Sequence, residues 1–162
     1  MKAALYPNFQ KPNALVCARK VCDVLESAGI EVSVSELFRN DFSDKPFVHF
    51  EDISISAHTA DFVLAIGGDG TILRCAKFLM GTDTKLLGIN TGTLGFMAGL
   101  EADQLDKLKL LAEEKYEISE RMTLDIAYHG EGCDIVRSAL NEVSARSSSF
   151  SICDFEVHSY DY

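Results

Sequence analysis

A single carboxylate lies among three glycines in the segment AIGGDGTILRCAKFLM, which runs from Ala65 to Met80. Glycine lets the backbone approach a ligand closely, and a helix that begins directly afterwards presents free N–H groups and the positive end of its dipole. Such a turn suits phosphate, which Asp69 would repel. The two features are compatible if the reaction is phosphoryl transfer to a hydroxyl, because Asp69 can then accept or orient the proton of the attacking alcohol.

We therefore predict a phosphate crevice at this turn, with Asp69 as its catalytic group. The residues expected to shape the crevice are Gly67, Gly68, Gly70 and Thr71. Arg74, one turn further along, would add positive charge. The segment matches neither GxGxxG nor the P-loop pattern, because no lysine follows the glycines. The alternatives are a tight strand-to-helix turn in which Asp69 caps the helix, and a solvated helix face for Arg74.

Two further motifs carry polar residues in unusual places. The segment from Leu86 to Glu101, LLGINTGTLGFMAGLE, is a second strand that opens into a glycine-rich turn, and it contains Asn90 and Phe96. Two such loops after separate strands could converge on one crevice; the alternative is a structural loop with Phe96 in the core. The segment LNEV, residues 140–143, places Asn141 and Glu142 in a strand pattern that suits neither side chain, unless this is a solvated edge or a bulge.

The elements that would position the first two motifs predict an α/β domain over residues 1–116. Lys2–Tyr6, a helix ending near Gly29 and Glu31–Val34 form a strand–helix–strand start, which is typically parallel. The continuously apolar run 62–66 predicts a strand buried on both faces of a parallel sheet. We also predict a loop over 38–46, a short strand at 47–50, a helix over 71–80 and a helix over 103–117.

Residues 117–162 have the texture of an antiparallel all-β domain, with a hairpin turn at HGEG, residues 129–132. The pattern stops within a strand, FEVHSYDY, so we expect this β domain to be incomplete and truncated. Alternating strands need a second layer over their apolar face, and an open strand edge pairs readily with another chain. From this we expect a homo-oligomer.

Composition limits the classes of function. The chain has 162 residues and a formal net charge of −10, which argues against binding to nucleic acid or to an anionic membrane. No apolar run approaches the length of a membrane span, so we expect a cytoplasmic protein. Five cysteines at irregular spacing, without a CxxC pair, favour buried free thiols over a metal site or disulfides.

GGDGT, GINTGTLGF and ALNEV, in this order, resemble the NAD kinase family over the whole chain, as an N-terminal portion of it. GGDGT is shared with lipid kinases and, more loosely, with 6-phosphofructokinases, whereas the INTGTLGF block points to NAD kinases. The resemblance implies transfer of the terminal phosphoryl group of ATP, with Mg²⁺, to the 2′-hydroxyl of the adenosine ribose of NAD, giving NADP.

The resemblance also implies roles for individual residues. Asp69 would be the proton acceptor, and Asp69, Gly70 and Arg74 would contact the dinucleotide. Phe96 would lie near the adenine, and Asn141 with Glu142 would hold the nicotinamide-side ribose; the nucleotide-binding set also includes Gly67, Gly68, Thr71 and Asn90. The partners would be small-molecule nucleotides. Two other functions remain open: another GGDGT-type kinase acting on a lipid or a sugar, and a non-catalytic nucleotide-binding module.

Overall fold

The computed structural model describes residues 1–92, 95–130, 133–140 and 142–144. Two compact units divide the chain, Met1–Glu120 and Arg121–Tyr162. Within the described ranges, no helix is long and apolar enough to cross a membrane.

The first unit is built on a six-stranded sheet whose order is β3-β2-β1-β4-β5-β6. Every neighbouring pair runs parallel, which confirms the predicted α/β class. The strands are β1 (Lys2–Pro7), β2 (Glu31–Val34), β3 (Val48–Phe50), β4 (Phe62–Gly67), β5 (Lys85–Asn90) and β6 (Leu100–Glu101). The helices are α1 (Ala14–Ser27), α2 (Ile53–Thr59), α3 (Asp69–Leu79) and α4 (Lys109–Ala112), with 3₁₀ segments at Glu36–Phe42 and Leu105–Leu108.

The core lies on both faces of β4, whose six residues are all buried. Leu64 and Ile66 pack with residues of α1 on one face, while Val63 and Ala65 pack with residues of α3 on the other. Because successive side chains of a strand point to opposite faces, a strand covered by helices on both faces must be apolar throughout. The run that predicted this strand was therefore interpreted correctly.

One predicted loop contains a helical turn, and one helix lies where no element was predicted. The predicted loop over 38–46 is wrong in its first half, because a 3₁₀ helix occupies Glu36–Phe42. Its first turn is held by the side chain of Ser35, which accepts a hydrogen bond from the amide of Leu37, and Phe42 is fully buried. Helix α2 was not predicted; Asp52 caps it by accepting from the amide of Ser54 at 2.8 Å.

The predicted helix over 103–117 is too long. Only the 3₁₀ segment and α4 form, although Leu105, Leu108 and Leu111 are buried as their spacing indicated. The helix ends because Glu114 adopts a left-handed backbone with φ 53°. The amide of Lys115 then bonds to the carbonyl of Leu110 at 3.0 Å, and the amide of Glu114 to that of Leu111, which is a Schellman termination.

The second unit contains an antiparallel pair, β7 (Thr123–Gly130) and β8 (Cys133–Leu140), in which Gly130 is opposite Cys133. This register places the connection where the hairpin was predicted; residues 131–132 lie outside the described ranges. Leu124, Ile135 and Val136 are exposed on the hairpin. The strand predicted near the end of the chain, within residues 145–162, also lies outside the described ranges.

Candidate functional site

The candidate site lies where the direction of the sheet reverses. From β1 the chain continues through α1 to β2 on one side, whereas from β4 it continues through α3 to β5 on the other. In open α/β sheets the loops at the carboxyl ends of such neighbouring strands diverge and leave a crevice for ligands. The loops after β1, β4 and β5 therefore meet at one edge of the sheet.

The turn between β4 and α3 is shorter than its sequence indicated. Gly68 alone separates the two elements, and α3 begins at Asp69, two residues before the predicted start at Thr71. Gly68 has φ −116°, and the glycines with positive φ in the described chain are Gly29 and Gly81. The glycines of this turn therefore do not supply a left-handed backbone, and what they contribute is the absence of a side chain.

The inner wall of the turn is tightly filled. A Cβ on Gly67 would lie 2.4 Å from Oγ1 of Thr71, which is 2% exposed. The same oxygen accepts a hydrogen bond from Nδ2 of Asn8 at 3.3 Å, and the amide of Asn8 donates to the carbonyl of Ile66 at 2.9 Å. The loop after β1 thus holds the first turn of α3 in place.

The outer side of the turn is open. A Cβ added to Gly68 or to Gly70 would meet no atom of the described residues within 4 Å. The first amides of a helix have no acceptor within that helix, and they carry the positive end of its dipole. Backbone N–H groups are therefore accessible to an anion at these two positions.

Asp69 joins the two glycine-rich loops. Its Oδ2 accepts from the amide of Phe96 at 3.0 Å and its Oδ1 from the amide of Met97 at 3.2 Å. A Cβ on Gly95 would lie 2.7 Å from Oδ1, so the second loop approaches closely. The convergence of the two loops is as expected. The side chain makes no capping bond to its own helix, so the alternative of Asp69 as a helix cap is wrong.

The base of the second loop is fixed by Asn90, which is 1% exposed. Its Nδ2 donates to Oε2 of Glu101 at 3.0 Å, and its Oδ1 accepts from the amide of Gly92 at 3.2 Å. The amide of Thr91 bonds to the carbonyl of Gly67 at 3.0 Å. Asn90 therefore orders the loop, and a direct role in nucleotide binding stays a prediction.

Phe96 is 91% exposed beside the Asp69 carboxylate, so the alternative that placed it in the core is wrong. Arg74 is exposed one turn into α3 and makes no ion pair with another described residue. Glu142 is exposed and follows the end of β8, so it does not lie within a strand as predicted. Asn141 lies outside the described ranges.

Three cysteines are buried free thiols, as expected: Cys17, Cys22 and Cys75. Burial raises the pKa of each thiol, to about 12 for Cys22 and Cys75. They pack in the core and contribute no nucleophile near neutral pH. In the described part of the chain, no group of three or more His, Cys, Asp and Glu side chains could hold a metal ion.

Sequence reasoning missed Asn8 and Glu101, the two side chains that fix Thr71 and Asn90. Asn8 directly follows β1 and could have been found from the rule that the residues after parallel strands gather at one edge. Glu101 gave no such signal, because β6 has only two residues.

A parallel sheet with helices on both faces and a glycine-lined helix start at its switch point defines a doubly wound α/β domain, a class in which ligands commonly bind at the switch point. Comparison with known proteins gives the family: the ATP-NAD kinase N-terminal domain matches residues 4–116, and the chain belongs to this family. A solved structure described as yeast NADH kinase complexed with NADH has the same fold, with TM-score 0.74 and 17% identity over 86% of this chain and 46% of that one.

Curated relatives agree. An NAD kinase from Christiangramia forsetii is 33% identical, over 89% of this chain and 52% of the relative. One from Corynebacterium diphtheriae is 36% identical, over 91% and 49%. One from Pyrococcus furiosus is 36% identical, over 89% and 50%. The chain therefore spans about half the length of the curated relatives it matches.

Proposed function

We propose that this chain carries part of the active site of an NAD kinase, which transfers the terminal phosphoryl group of ATP to the 2′-hydroxyl of the adenosine ribose of NAD. The observation that carries the proposal is the position of Asp69, which lies at the open start of α3 and bonds to the loop around Phe96. Curated relatives of this chain bear the name NAD kinase, and the structure of a protein with the same fold is described as a complex with NADH.

Asp69 would act on a hydroxyl while its own carboxylate stays fixed. Each carboxylate oxygen has two lone-pair directions, and one backbone N–H occupies one of them on each oxygen. A substrate hydroxyl can donate to a remaining lone pair, and the two N–H bonds keep the carboxylate from rotating away. Asp69 would hold and then accept the proton of that hydroxyl as its oxygen attacks phosphorus.

The surrounding residues would bind and orient the nucleotides. The amides exposed beside Gly68 and Gly70 and the dipole of α3 would stabilise phosphate oxygens. Arg74 would add charge, and the exposed ring of Phe96 offers a surface for adenine. Asn141 and Glu142 are assigned to the nicotinamide-side ribose by resemblance to the family.

We include a divalent metal, usually Mg²⁺, in the proposal. Mg²⁺ is commonly held by one or two carboxylates together with substrate phosphates, and it neutralises phosphate charge. The half-buried Asp69, beside the open amides, fits that pattern better than an all-protein metal cage. We also propose a cytoplasmic location, a homo-oligomer and a division into domains 1–116 and 117–162. The strand from which we expected self-association lies outside the described ranges.

The test uses the protein encoded by the complete gene that contains this chain. NADP formation and NAD affinity are measured on the same sample for Asp69→Asn and for the control Asp83→Asn, an exposed carboxylate beyond the other end of α3. We expect Asp69→Asn to lower kcat by ~10²–10⁴-fold and to change NAD affinity far less.

Three results would contradict the proposal in different ways. A near-normal kcat for Asp69→Asn would leave Asp69 as a connection between loops. Binding of NAD without any NADP formation would support the non-catalytic module. Turnover of diacylglycerol or fructose 6-phosphate in place of NAD would assign another kinase of the GGDGT group.

A further inference from the structure

A second concave site lies on the other side of β1 from the glycine crevice. It has a volume of about 270 Å³ and opens between the carboxyl ends of β1 and β2 and the helices α2 and α3. The residues that matter for its chemistry are Tyr6, Ser33, Glu51, Ser56 and Phe78. Its position follows the same rule as the crevice, because ligands of open α/β sheets bind beyond the carboxyl ends of the strands.

The polar groups of this cavity are buried, and part of their hydrogen-bonding capacity is left unsatisfied. Ser33 is 0% exposed, and its hydroxyl lies near the Glu51 carboxylate but completes no hydrogen bond of good geometry with a described residue. Ser56, also in the wall, is 2% exposed. A buried hydroxyl whose hydrogen bonding is incomplete destabilises the fold, so Ser33 is a costly choice in a strand unless something in the cavity bonds to it.

Glu51 supplies a negative charge beside that hydroxyl. Its carboxylate forms an ion pair with Lys2. Burial opposes its ionisation, yet Lys2 and the nearby Ser33 and Ser56 hydroxyls lower the pKa of the carboxyl below its ordinary value. The cavity therefore presents an ionised acceptor together with hydroxyls that can donate or accept.

The remaining wall is apolar and partly uncovered. The rings of Tyr6 and Phe78 form a tilted pair with centroids 5.8 Å apart. Phe78 is 43% exposed and Leu37, which also lines the cavity, is 87% exposed. An apolar cleft with a few convergent polar groups is the usual form of a small-molecule site, and this one suits a flat ring that carries N–H donors.

We propose that this cavity binds the purine base of the nucleotide that donates the phosphoryl group, an inference that rests on the proposed function. A reaction between two nucleotides needs a place for two bases, and the exposed Phe96 lies at the other loop. An amino group on the ring would donate to Glu51, and a ring nitrogen would accept from Ser33.

The direction of the phosphates follows from charge and topology. Glu51 and Asp52 at the cavity repel phosphates, so the triphosphate must extend away from them. Pro7 lines the cavity and is paired with Ile66, the residue before Gly67. Neighbouring strands are ~4.8 Å apart, so a nucleotide whose base occupies the cavity can reach the open amides of the crevice.

The experiment is photolabelling of the protein encoded by the complete gene with 8-azido-ATP, followed by peptide mapping. We expect the label on the segments containing Tyr6, Ser33 or Phe78, and competition by adenosine as well as ATP. Label confined to the peptide containing Phe96 would overturn the proposal. Competition by inorganic tripolyphosphate but not by adenosine would also overturn it, since the base would then contribute nothing.

A variant provides the second arm. Ser33→Val removes the buried hydroxyl and places a β-branched side chain in a strand, so the fold should be kept. We expect ATP affinity to fall at least 10-fold and NAD affinity to change less than 2-fold, whereas Ser27→Val, at the exposed end of α1, should change neither. Equal loss of both affinities, or unchanged ATP affinity, would overturn the proposal. If the protein forms NADP but the cavity is not labelled, the proposed base site is wrong and the proposed function stands. If the cavity is labelled but no NADP forms, the base site is supported and the proposed function is wrong.

Discussion

The glycine crevice has a packed floor, formed by Gly67 and Gly88, and an open mouth, formed by Gly68 and Gly70. The two regions use the same residue type for opposite reasons. At the floor, a Cβ on Gly67 would meet Thr71, and a Cβ on Gly88 of β5 would lie 2.3 Å from Ile72 and 3.1 Å from the backbone of Ala98. At the mouth, Gly68 and Gly70 face open space. Glycine at the floor serves the fold, whereas glycine at the mouth keeps the backbone accessible, so stability and nucleotide binding should separate by position.

The largest stability effect should come from the floor. We expect Gly67→Ala to lower the free energy of unfolding by about 1–3 kcal/mol, because the new Cβ overlaps a buried Thr71 whose β-branched side chain has one or two rotamers in a helix. Urea denaturation measures the change. Gly68→Ala, one residue away, is the matched control and should stay within about 0.5 kcal/mol. Equal losses of stability in Gly67→Ala and Gly68→Ala would contradict the distinction between the floor and the mouth.

The mouth should show the reverse pattern. In the protein encoded by the complete gene, Gly68→Ala and Gly70→Ala should keep the fold but lower kcat/KM by ~10–10²-fold, since a methyl group displaces phosphate from the backbone amides. Steady-state NADP formation and thermal unfolding are compared on the same preparations. Full activity in both variants would mean that no phosphate approaches this backbone.

The two regions also differ in how far sequence could define them. The parallel sheet and the meeting of the two loops were predictable, because apolar runs mark the buried strands and parallel strands end at one edge. The tight floor was not, because GGDG contains no information about which glycine faces Thr71. Nor was the bond from Asp69 to the amides of Phe96 and Met97 predictable, since any residue type can supply a backbone donor.

Local helical structure was the weakest part for a related reason. Asp52 and Ser35 each start a short helical segment by accepting one backbone hydrogen bond, a signal too small to register beside hydrophobic periodicity. The opposite error occurred in the segment 103–117, where the leucine spacing continued to favour a helix but the left-handed Glu114 ended it. Periodicity reports which side chains are buried better than where a helix stops.

A smaller effect is expected on the outer face of α3. Arg74→Ala should raise KM for NAD by about 2–5-fold, the size of an exposed charge acting near a helix, and the remaining binding should depend less on salt. Lys77→Ala is the control, because Lys77 is also exposed and lies one turn further from the mouth. If Lys77→Ala raises the KM for NAD as much as Arg74→Ala does, the effect comes from net charge and not from the position of Arg74.

The smallest effect should be at the core, where no chemistry is expected. With a pKa of about 12, Cys22 and Cys75 are thiolate in only about one molecule in 10⁴ at pH 8. Alkylation with iodoacetamide and peptide mapping should therefore find both residues essentially unmodified in folded protein and modified in urea. Rapid labelling without urea would show that the sheet opens more readily than its packing indicates.

The central place of β1 has a consequence for how the chain is made. β1 precedes both of its neighbours, β2 and β4, in the chain, and Ala3 pairs with both Val32 and Phe62. Until the segment around Ile66 emerges, one side of β1 is a bare strand edge with apolar side chains, which other chains can pair with. Roughly 60 residues beyond β1 must therefore be synthesised before that edge is paired, and a pause in translation before β4 would be a direct route to aggregation.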